Sequence, residues 1–417
     1  MKKQKDRFFE LIEKTNSFFK TDMVYLVHGG FWLSVGQVIN TASAFLLALA
    51  FSHLVSKDSY GTYKYILSLA GIIGSLSLSG MKTALTQSVS KGFDGSLRYS
   101  FWLQIKWSLP ASLLSFVGAA YYFFNQNKTL AFGLIAIGIF TPIINGATSY
   151  SSFLNGKKLF KFGTIYGIVR SLIPVITLLI TILFTENVTF LVFVYFFSIT
   201  VSLIIGYFWT LKHSANEAVD PELATFSKHL SAISIVKTIA NRIDSVFIFH
   251  YLGPVELATY SFAAAIPEQV MTILGNIYTL ALPKFAEAED LIALKKSIYQ
   301  KMKTATLYLL PISLLYALLC PFVYKWFFPQ YISSIYYSQI FAVIILIATV
   351  SQILGAFQDS QKTLSDKYLS SSIAAVVRIG FTWLFVIFYG IIGVILAEIL
   401  ARLTYFFVSL WLLKKIK

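Results

Sequence analysis

Apolar and polar positions in this chain alternate in long blocks. Runs of roughly 20 mainly apolar residues, the length that crosses a bilayer as a helix, recur throughout. Twelve are placed at 28–53, 62–83, 101–124, 130–153, 163–184, 189–211, 229–252, 257–282, 304–324, 336–358, 369–388 and 391–413. Short charged or turn-forming segments part them, among them "SKGFDGS", "NGKKLFK", "LKHSANEAVDPE", "LGPVE" and the long "PKFAEAEDLIALKKSIYQKMK". A transmembrane barrel would show alternating segments of about 10 residues, and these are absent. The pattern predicts an all-α integral membrane protein with twelve transmembrane helices.

Loop charge orients these helices. With the N-terminus inside, the inner segments hold 23 of the 34 Lys and Arg residues. The outer ones hold four: Lys57, Lys64, Lys128 and Lys325. That asymmetry predicts two cytoplasmic termini. The outer segments are all short, which weighs against a membrane glycosyltransferase or polymerase. Near the outer face, "YKWFFPQY" reads as an aromatic belt. Ahead of the first span, Phe8, Ile12, Thr15 and Phe19 share one helical face beside Lys14 and Lys20. Residues 1–27 therefore read as an interfacial amphipathic segment, with a frayed basic tail as the alternative. No signal peptide is expected.

Composition agrees: 57% of residues are hydrophobic, 13% are charged, and the mean hydropathy is +0.71. The net charge of +15 fits cytoplasmic loops against anionic membrane lipid better than a nucleic-acid partner. The single cysteine, Cys320, rules out an internal disulfide. No phosphate-cradling loop, catalytic constellation or Cys/His metal set is present. Neither a cofactor nor a metal is expected, and the chain alone has no means to use ATP.

The chain also repeats itself. "HLVSKDSYGTY" at 53–63 aligns without a gap to "HYLGPVELATY" at 250–260, an offset of 197 residues. Later, Gly146-Ala147 is followed by Val169-Arg170 much as Gly355-Ala356 is followed by Val377-Arg378. Six spans per half is an even number, so the halves run parallel, related by an axis along the membrane normal. The expected organisation is a six-helix lobe at 28–212, a cytoplasmic linker at 213–228 and a second six-helix lobe at 229–417, around a central cavity.

Seven bases fall inside spans: Lys82, Lys106, Arg170, Lys237, Arg242, Arg378 and Arg402. Each costs at least about 2.5 kcal/mol near the bilayer centre on insertion scales. Lys82 and Lys106 lie near the cytoplasmic edge, where snorkelling relieves the cost. The arginines carry more information, because four of the chain's six lie within spans while the loops use Lys. Guanidinium stays charged and forks onto phosphate or carboxylate, so this bias suggests an anionic ligand. Glu398 and Arg402 stand four apart and form an expected structural ion pair. Arg170 and Arg378 have no acid near in sequence and are expected to face each other across the cavity. On the seventh span Ser234, Lys237, Asn241 and Asp244 make one polar face, matched on the first span by Gln37 and Asn40. Interhelical hydrogen bonding is the plainer reading of such stripes; a cavity wall is the functional one. Asp244 and Glu268, the latter following Pro267, are candidates for ion or proton coupling. His28, His53 and His250 lie near span ends, where interfacial packing accounts for them.

Three stretches carry a family resemblance: "LVSKDSYGTYKYILSLAGIIGSLSLSGMKTALTQSVS", "NRIDSVFIFHYLGPVELATYSFAAAI" and "YGIIGVILAEILARLTYFFVSLWLLKK". With them the chain resembles, over nearly its whole length, the polysaccharide transport family of bacterial flippases. That family belongs to the multidrug/oligosaccharidyl-lipid/polysaccharide exporter superfamily. The resemblance implies two six-helix bundles around a cavity open alternately to each side, in a bacterial cytoplasmic membrane. It implies movement of undecaprenyl diphosphate-linked oligosaccharide to the outer leaflet. Membrane lipids, glycosyltransferases and a polysaccharide polymerase are the implied partners. Energy would come from a proton or sodium gradient or the membrane potential. By position, Arg170, Arg242 and Arg378 would bind the anion, with Lys237, Asn241, Asn40 and Gln37 assisting. A drug or cation antiporter of the same superfamily is the first alternative, although its cavity should be acidic. A non-transporting membrane assembly protein is another. One departure from the repeat is Ala258, where the first copy has Gly61.

Overall fold

The computed structural model describes residues 23–286, 291–360 and 364–415; most of the expected interfacial segment at 1–27 lies outside them. Every regular element among the described residues is helical. The first lobe holds α1 (Met23–Leu54), α2 (Lys57–Ser75), α3 (Met81–Ser90), α4 (Ser96–Phe124), α5 (Lys128–Ala147), α6 (Ser149–Gly156), α7 (Phe160–Phe184) and α8 (Val188–Leu211). The second holds α9 (Leu223–Leu252), α10 (Pro254–Ala286), α11 (Leu291–Phe327), α12 (Ser334–Ser360) and α13 (Leu364–Lys415). Helix α13 is two passes joined by a reversal at Gly390 (φ 57°, ψ −136°). That turn needs glycine, because a side chain is disfavoured at positive φ.

Two expected spans are broken. The second is α2 plus α3, interrupted at 76–80, and the fourth is α5 plus α6, interrupted at Thr148. Breaking a helix frees backbone carbonyls that must find donors. Asn145 does this at the first break: its Nδ2 donates to Ser77 Oγ (2.8 Å), Ser108 Oγ (3.1 Å) and Gly74 O (3.3 Å). The displaced half-helices α3 and α6 pack on one another over a second core of Met81, Leu85, Phe153, Leu154 and Tyr207. Counting each broken helix once and α13 twice, the described chain makes twelve passes.

Seven described helices are long and apolar enough to cross a membrane: α1, α5 with α6, α7, α8, α11, α12 and α13. Those that fall short include α2, α9 and α10. These three pack across the boundary between the lobes. Within the lobes the packing repeats. α1 lies on α7 as α9 lies on α13, α4 pairs with α5 as α11 pairs with α12, and α5 meets α8 as α12 meets α13.

The linker after α8 is bound to the first lobe. Asp94 Oδ2 accepts from the Ala215 amide (2.8 Å), and its other oxygen meets Lys157 Nζ (2.7 Å). Asp220 Oδ2 accepts from Ser88 Oγ (2.7 Å), while the Asp220 amide donates to Ser96 Oγ (3.1 Å). Chain up to residue 220 is therefore fastened to the loop around α3 and α4.

Candidate functional site

The two repeated junctions meet each other. Ser56 caps α2 by accepting from the Ser59 amide, whereas Gly253 (φ 96°) and Pro254 start α10. Helix α2 comes so close to this turn that a Cβ on Gly61 would lie 1.8 Å from Pro254 O. The glycine that departs from the repeat thus stands where the lobes touch. Around it Phe262 stacks on Tyr331 (3.7 Å between ring centroids), Tyr60 packs on Phe262 (4.9 Å), and Phe45 meets Phe327 and Phe328 (5.4 and 5.7 Å). This corrects the expected aromatic belt: Tyr324, Phe328 and Tyr331 are buried, and Trp326 alone of the rings in "YKWFFPQY" is mostly exposed. The rings close the lobe seam at the junction end.

The seam continues along α2 and α9. Tyr65 stacks on Phe249 (3.9 Å), Gly71 faces the Arg242 side chain, and the Gly80 amide donates to Ser231 Oγ (3.0 Å). On the α1–α10 side Thr41 Oγ1 donates to Gln269 Oε1 (3.3 Å), with Gln37 Nε2 donating to Thr41 (3.2 Å).

Inside the second lobe the charges pair. Arg378 forks onto Asp244 through Nε (3.4 Å) and Nη2, its Nη1 donates to Asn241 Oδ1 (3.2 Å), and Nη2 stands 3.7 Å from Glu398. Glu398 in turn takes Arg402 Nε (3.0 Å) and Nη2 (2.6 Å), the expected ion pair. Tyr260 Oη also donates to Asp244 (3.0 Å). Two carboxylates thus face two guanidiniums, all in one network. The expectation that Arg378 looks across the cavity at Arg170 is corrected here. Its acid partners come from α9 and the second pass of α13, far away in sequence, and they turn its fork into the lobe. Asp244 is correspondingly committed to Arg378 and Tyr260.

The first lobe shows the reverse. Arg170, at the position that answers to Arg378, has no such acid. At the offset of 197, Leu47 stands where the second half has Asp244. Between residues 28 and 211 the acids are Asp58, Asp94 and Glu186, all at helix ends. Arg170 lies instead beside Lys82 and the Tyr150 hydroxyl. Its neighbour Ser171 donates to Asn40 Oδ1 (2.6 Å), which ties α7 to α1. Tyr195 on α8 interacts electrostatically with Arg170, Lys64 and Arg242. Bases of both lobes thus act on one tyrosine, and the Glu268 carboxylate interacts electrostatically with Lys64 and Arg242 as well as with Arg378 and Glu398.

Lys64 is the residue missed from sequence. Counted with the outer loops, it lies seven residues into α2, about 10 Å along the axis, among the central charges. Its helix starts at Lys57 rather than 62. The signal was the Ser-x-x-Ser cap at 56–59, which sets that start.

Lys237 and Asn241 border a cavity of about 340 Å³ enclosed by α9, α12 and α13, with Arg378, Arg402, Ser351 and Gln352 also on its wall. A second cavity of about 410 Å³, lined by Glu268, Met271 and Thr272, shares Ala348, Gln352 and Arg402 with the first.

A family profile described as polysaccharide biosynthesis protein matches residues 50–330. The chain belongs to that family. No curated protein matches it by sequence. Among solved structures, this polysaccharide biosynthesis protein is similar to the lipid II flippase MurJ in an inward closed conformation. The TM-score is 0.69 at 15% identity, over 93% of this chain and 88% of that one. It is also similar to an outward-facing multidrug resistance MATE family transporter of the MOP superfamily, with TM-score 0.64 and 15% identity over 93% and 97% of the two chains. A MOP superfamily transporter from Pyrococcus furiosus, described as having a binding pocket of reverse polarity, follows at TM-score 0.54 and 13% identity, covering 93% and 95%. The fold of this multi-pass membrane protein is thus the one shared by those transporters, as the sequence resemblance implied.

Proposed function

We propose that this family member carries an isoprenoid diphosphate-linked oligosaccharide, of the undecaprenyl kind, from the cytoplasmic to the outer leaflet of a bacterial cytoplasmic membrane. It would do so by alternating access of the two lobes, with both termini in the cytoplasm and no covalent chemistry. Glycosyltransferases would supply the substrate and a polymerase consume it. The observation that carries this reading is that Arg170, Lys64 and Arg242 all act on Tyr195, with Lys82 beside Arg170. Lys82, Arg170 and Arg242 are accessible, so an anion can reach them, and like charges held together attract one. A diphosphate supplies that anion at the lipid–sugar junction, where the polar and apolar parts of the substrate divide. The second-lobe network adds nothing to this charge, because it is balanced within itself. With Asp244 engaged by Arg378, Glu268 is the carboxylate left to respond to a proton or cation gradient.

The test is leaflet transfer in vesicles. Purified protein reconstituted with a fluorescent isoprenoid diphosphate saccharide should move the probe beyond the reach of a membrane-impermeant quencher. Arg170→Ala combined with Lys82→Ala should slow this at least tenfold, at equal reconstitution. Wild-type rates in that variant would remove the basis of the reading. Efflux of a cationic dye by the wild-type protein, with no lipid transfer, would support the antiporter alternative.

A further inference from the structure

We infer that the cavity inside the second lobe is a saccharide subsite, which takes one neutral sugar unit of the substrate while the diphosphate stays on the central bases. The inference rests on the reading above and adds to it a division of labour between the lobes.

Charge comes first. Arg378 and Arg402 stand at the cavity wall, but Asp244 and Glu398 hold their forks from behind. Guanidinium nitrogens already bound to carboxylate have little left for phosphate. Beside the Lys237 ammonium, which has an interaction of its own, the wall offers a ligand neutral hydrogen-bonding chemistry: the amides of Asn241 and Gln352 and the hydroxyls of Ser351 and Ser371. Amides and hydroxyls both donate and accept, as a sugar's hydroxyl groups require.

Shape agrees. The rest of the wall is small, with Ala240, Ala375 and Gly355 among its residues, so room is made by missing side chains. At about 340 Å³ the space stands near the lower end of small-molecule sites, roughly 300–1,000 Å³. That suits a single sugar ring and excludes an oligosaccharide chain.

Access completes the argument. The cavity joins its neighbour at Gln352 and Arg402, and that neighbour is lined by Glu268. Glu268 interacts electrostatically with Lys64 and Arg242, and the next residue, Gln269, accepts from Thr41 of the first lobe. The two cavities thus border one another, and the second reaches the side of α10 that meets the first lobe.

The experiment measures binding of two probes to the purified full-length protein in lipid nanodiscs. One is a bare isoprenoid diphosphate. The other is the same lipid bearing one glucose, galactose or N-acetylglucosamine. At least one sugar should tighten binding about tenfold. Ala375→Leu, which fills the cavity, and Gln352→Leu with Ser351→Ala, which remove its hydrogen bonds, should each abolish that gain and leave the bare lipid's affinity unchanged. Unfolding temperatures identify any variant that fails to fold, and the polar pair stands in if the leucine does. Arg170→Ala should weaken both probes equally. The subsite is refuted, with the transport reading intact, if no sugar improves on the bare lipid or if the cavity variants keep the gain. It is also refuted if they weaken both probes alike, which would place the diphosphate in the cavity. If the wild-type protein binds neither probe, both readings fall.

Discussion

Arg378→Ala should destabilise the protein severely, and the reason is the company that Arg378 keeps. Removal strips two bonds from Asp244 and one from Asn241, and takes away the second charge that balances Glu398, 3.7 Å away against 2.6 Å for Arg402. Asp244 and Glu398 are both nearly inaccessible, at 3% and 5% exposure. Asp244 would keep Tyr260 Oη at 3.0 Å and a long contact to Thr382 Oγ1 at 3.5 Å, neither of which brings positive charge. Breaking a buried pair by deleting one partner costs about 3–5 kcal/mol, since it leaves an uncompensated buried charge. At about 1.4 kcal/mol per tenfold, the folded population relative to unfolded falls by roughly 10²- to 10⁴-fold. Removing both charges is a different perturbation. Asp244→Asn with Arg378→Gln keeps polar groups of similar length and no unpaired ion, and such replacements are often close to neutral. Thermal unfolding in one detergent, with all variants at one protein concentration, gives the comparison. The expected order is wild type close to the double variant, Arg378→Lys lower because lysine has no fork, and Arg378→Ala lowest. If Arg378→Ala unfolds at the wild-type temperature, the network contributes nothing and the arginine is free for another role. If the double variant is folded but cannot move lipid, the fork has a function beyond stability.

Two more predictions follow from contacts outside the charged centre. Gly61→Ala places a Cβ 1.8 Å from Pro254 O, where about 3.4 Å is ordinary contact. Both partners are backbone, so the lobes must part, at about 1–3 kcal/mol typical of overpacking. A cysteine placed at Phe262 in a Cys320→Ser background should then react faster with an impermeant maleimide from the junction side. An unchanged rate would show that the seam does not bear on closure there. Asp220 supplies the pH dependence. The hydrogen bond from Ser88, helped by the Glu222 amide and Lys91 and opposed by desolvation, holds its carboxyl below the ordinary value. A depressed acid stabilises fully above its unfolded pKa, about 3.9, and the contribution disappears as pH falls through the lower folded value. Hydrogen exchange in residues 214–222, corrected for intrinsic rates, should therefore rise only below about pH 4. Asp220→Asn should remove that rise, and a flat profile in the wild type would count against the fastening of the linker.

The fold was legible because bilayer crossing demands long apolar runs and closed backbone hydrogen bonding. The apolar runs thus gave the twelve passes, and the doubled junction pointed to the repeat that the packing shows. The breaks in the second and fourth spans were not legible. Gly, Ser and Thr cluster at both ("GSLSLSG", "NGATSYSS"), but such residues are also common inside membrane helices, and the partner that repairs one break, Asn145, comes from another helix. Positions that hydropathy undervalued, on α2, α9 and α10, turned out to form the seam, since a helix facing protein can keep polar residues that lipid would exclude.

The candidate site was legible as a set of residues and illegible as a set of pairs. Sequence showed four arginines in spans, and an acid within four positions identifies a partner only along one helix. This found Glu398–Arg402 but could not find Asp244–Arg378, whose members are 134 residues apart. Yet the repeat held a clue. Aligning the halves puts Leu47 opposite Asp244 while Arg170 stands opposite Arg378, so the acid changed between the halves and the base did not. A base that keeps its place after losing its acid must be satisfied some other way. Arg170 interacts with Lys82, Tyr150 and Tyr195, and under the proposed function its remaining partner would be the anionic ligand. An arginine sealed by its own carboxylate could hold the second lobe together but could not let go of a substrate. One whose neighbours are cations is free to take and release an anion, and under the proposed function this asymmetry would assign anion binding to the first lobe and to Arg242 at the seam.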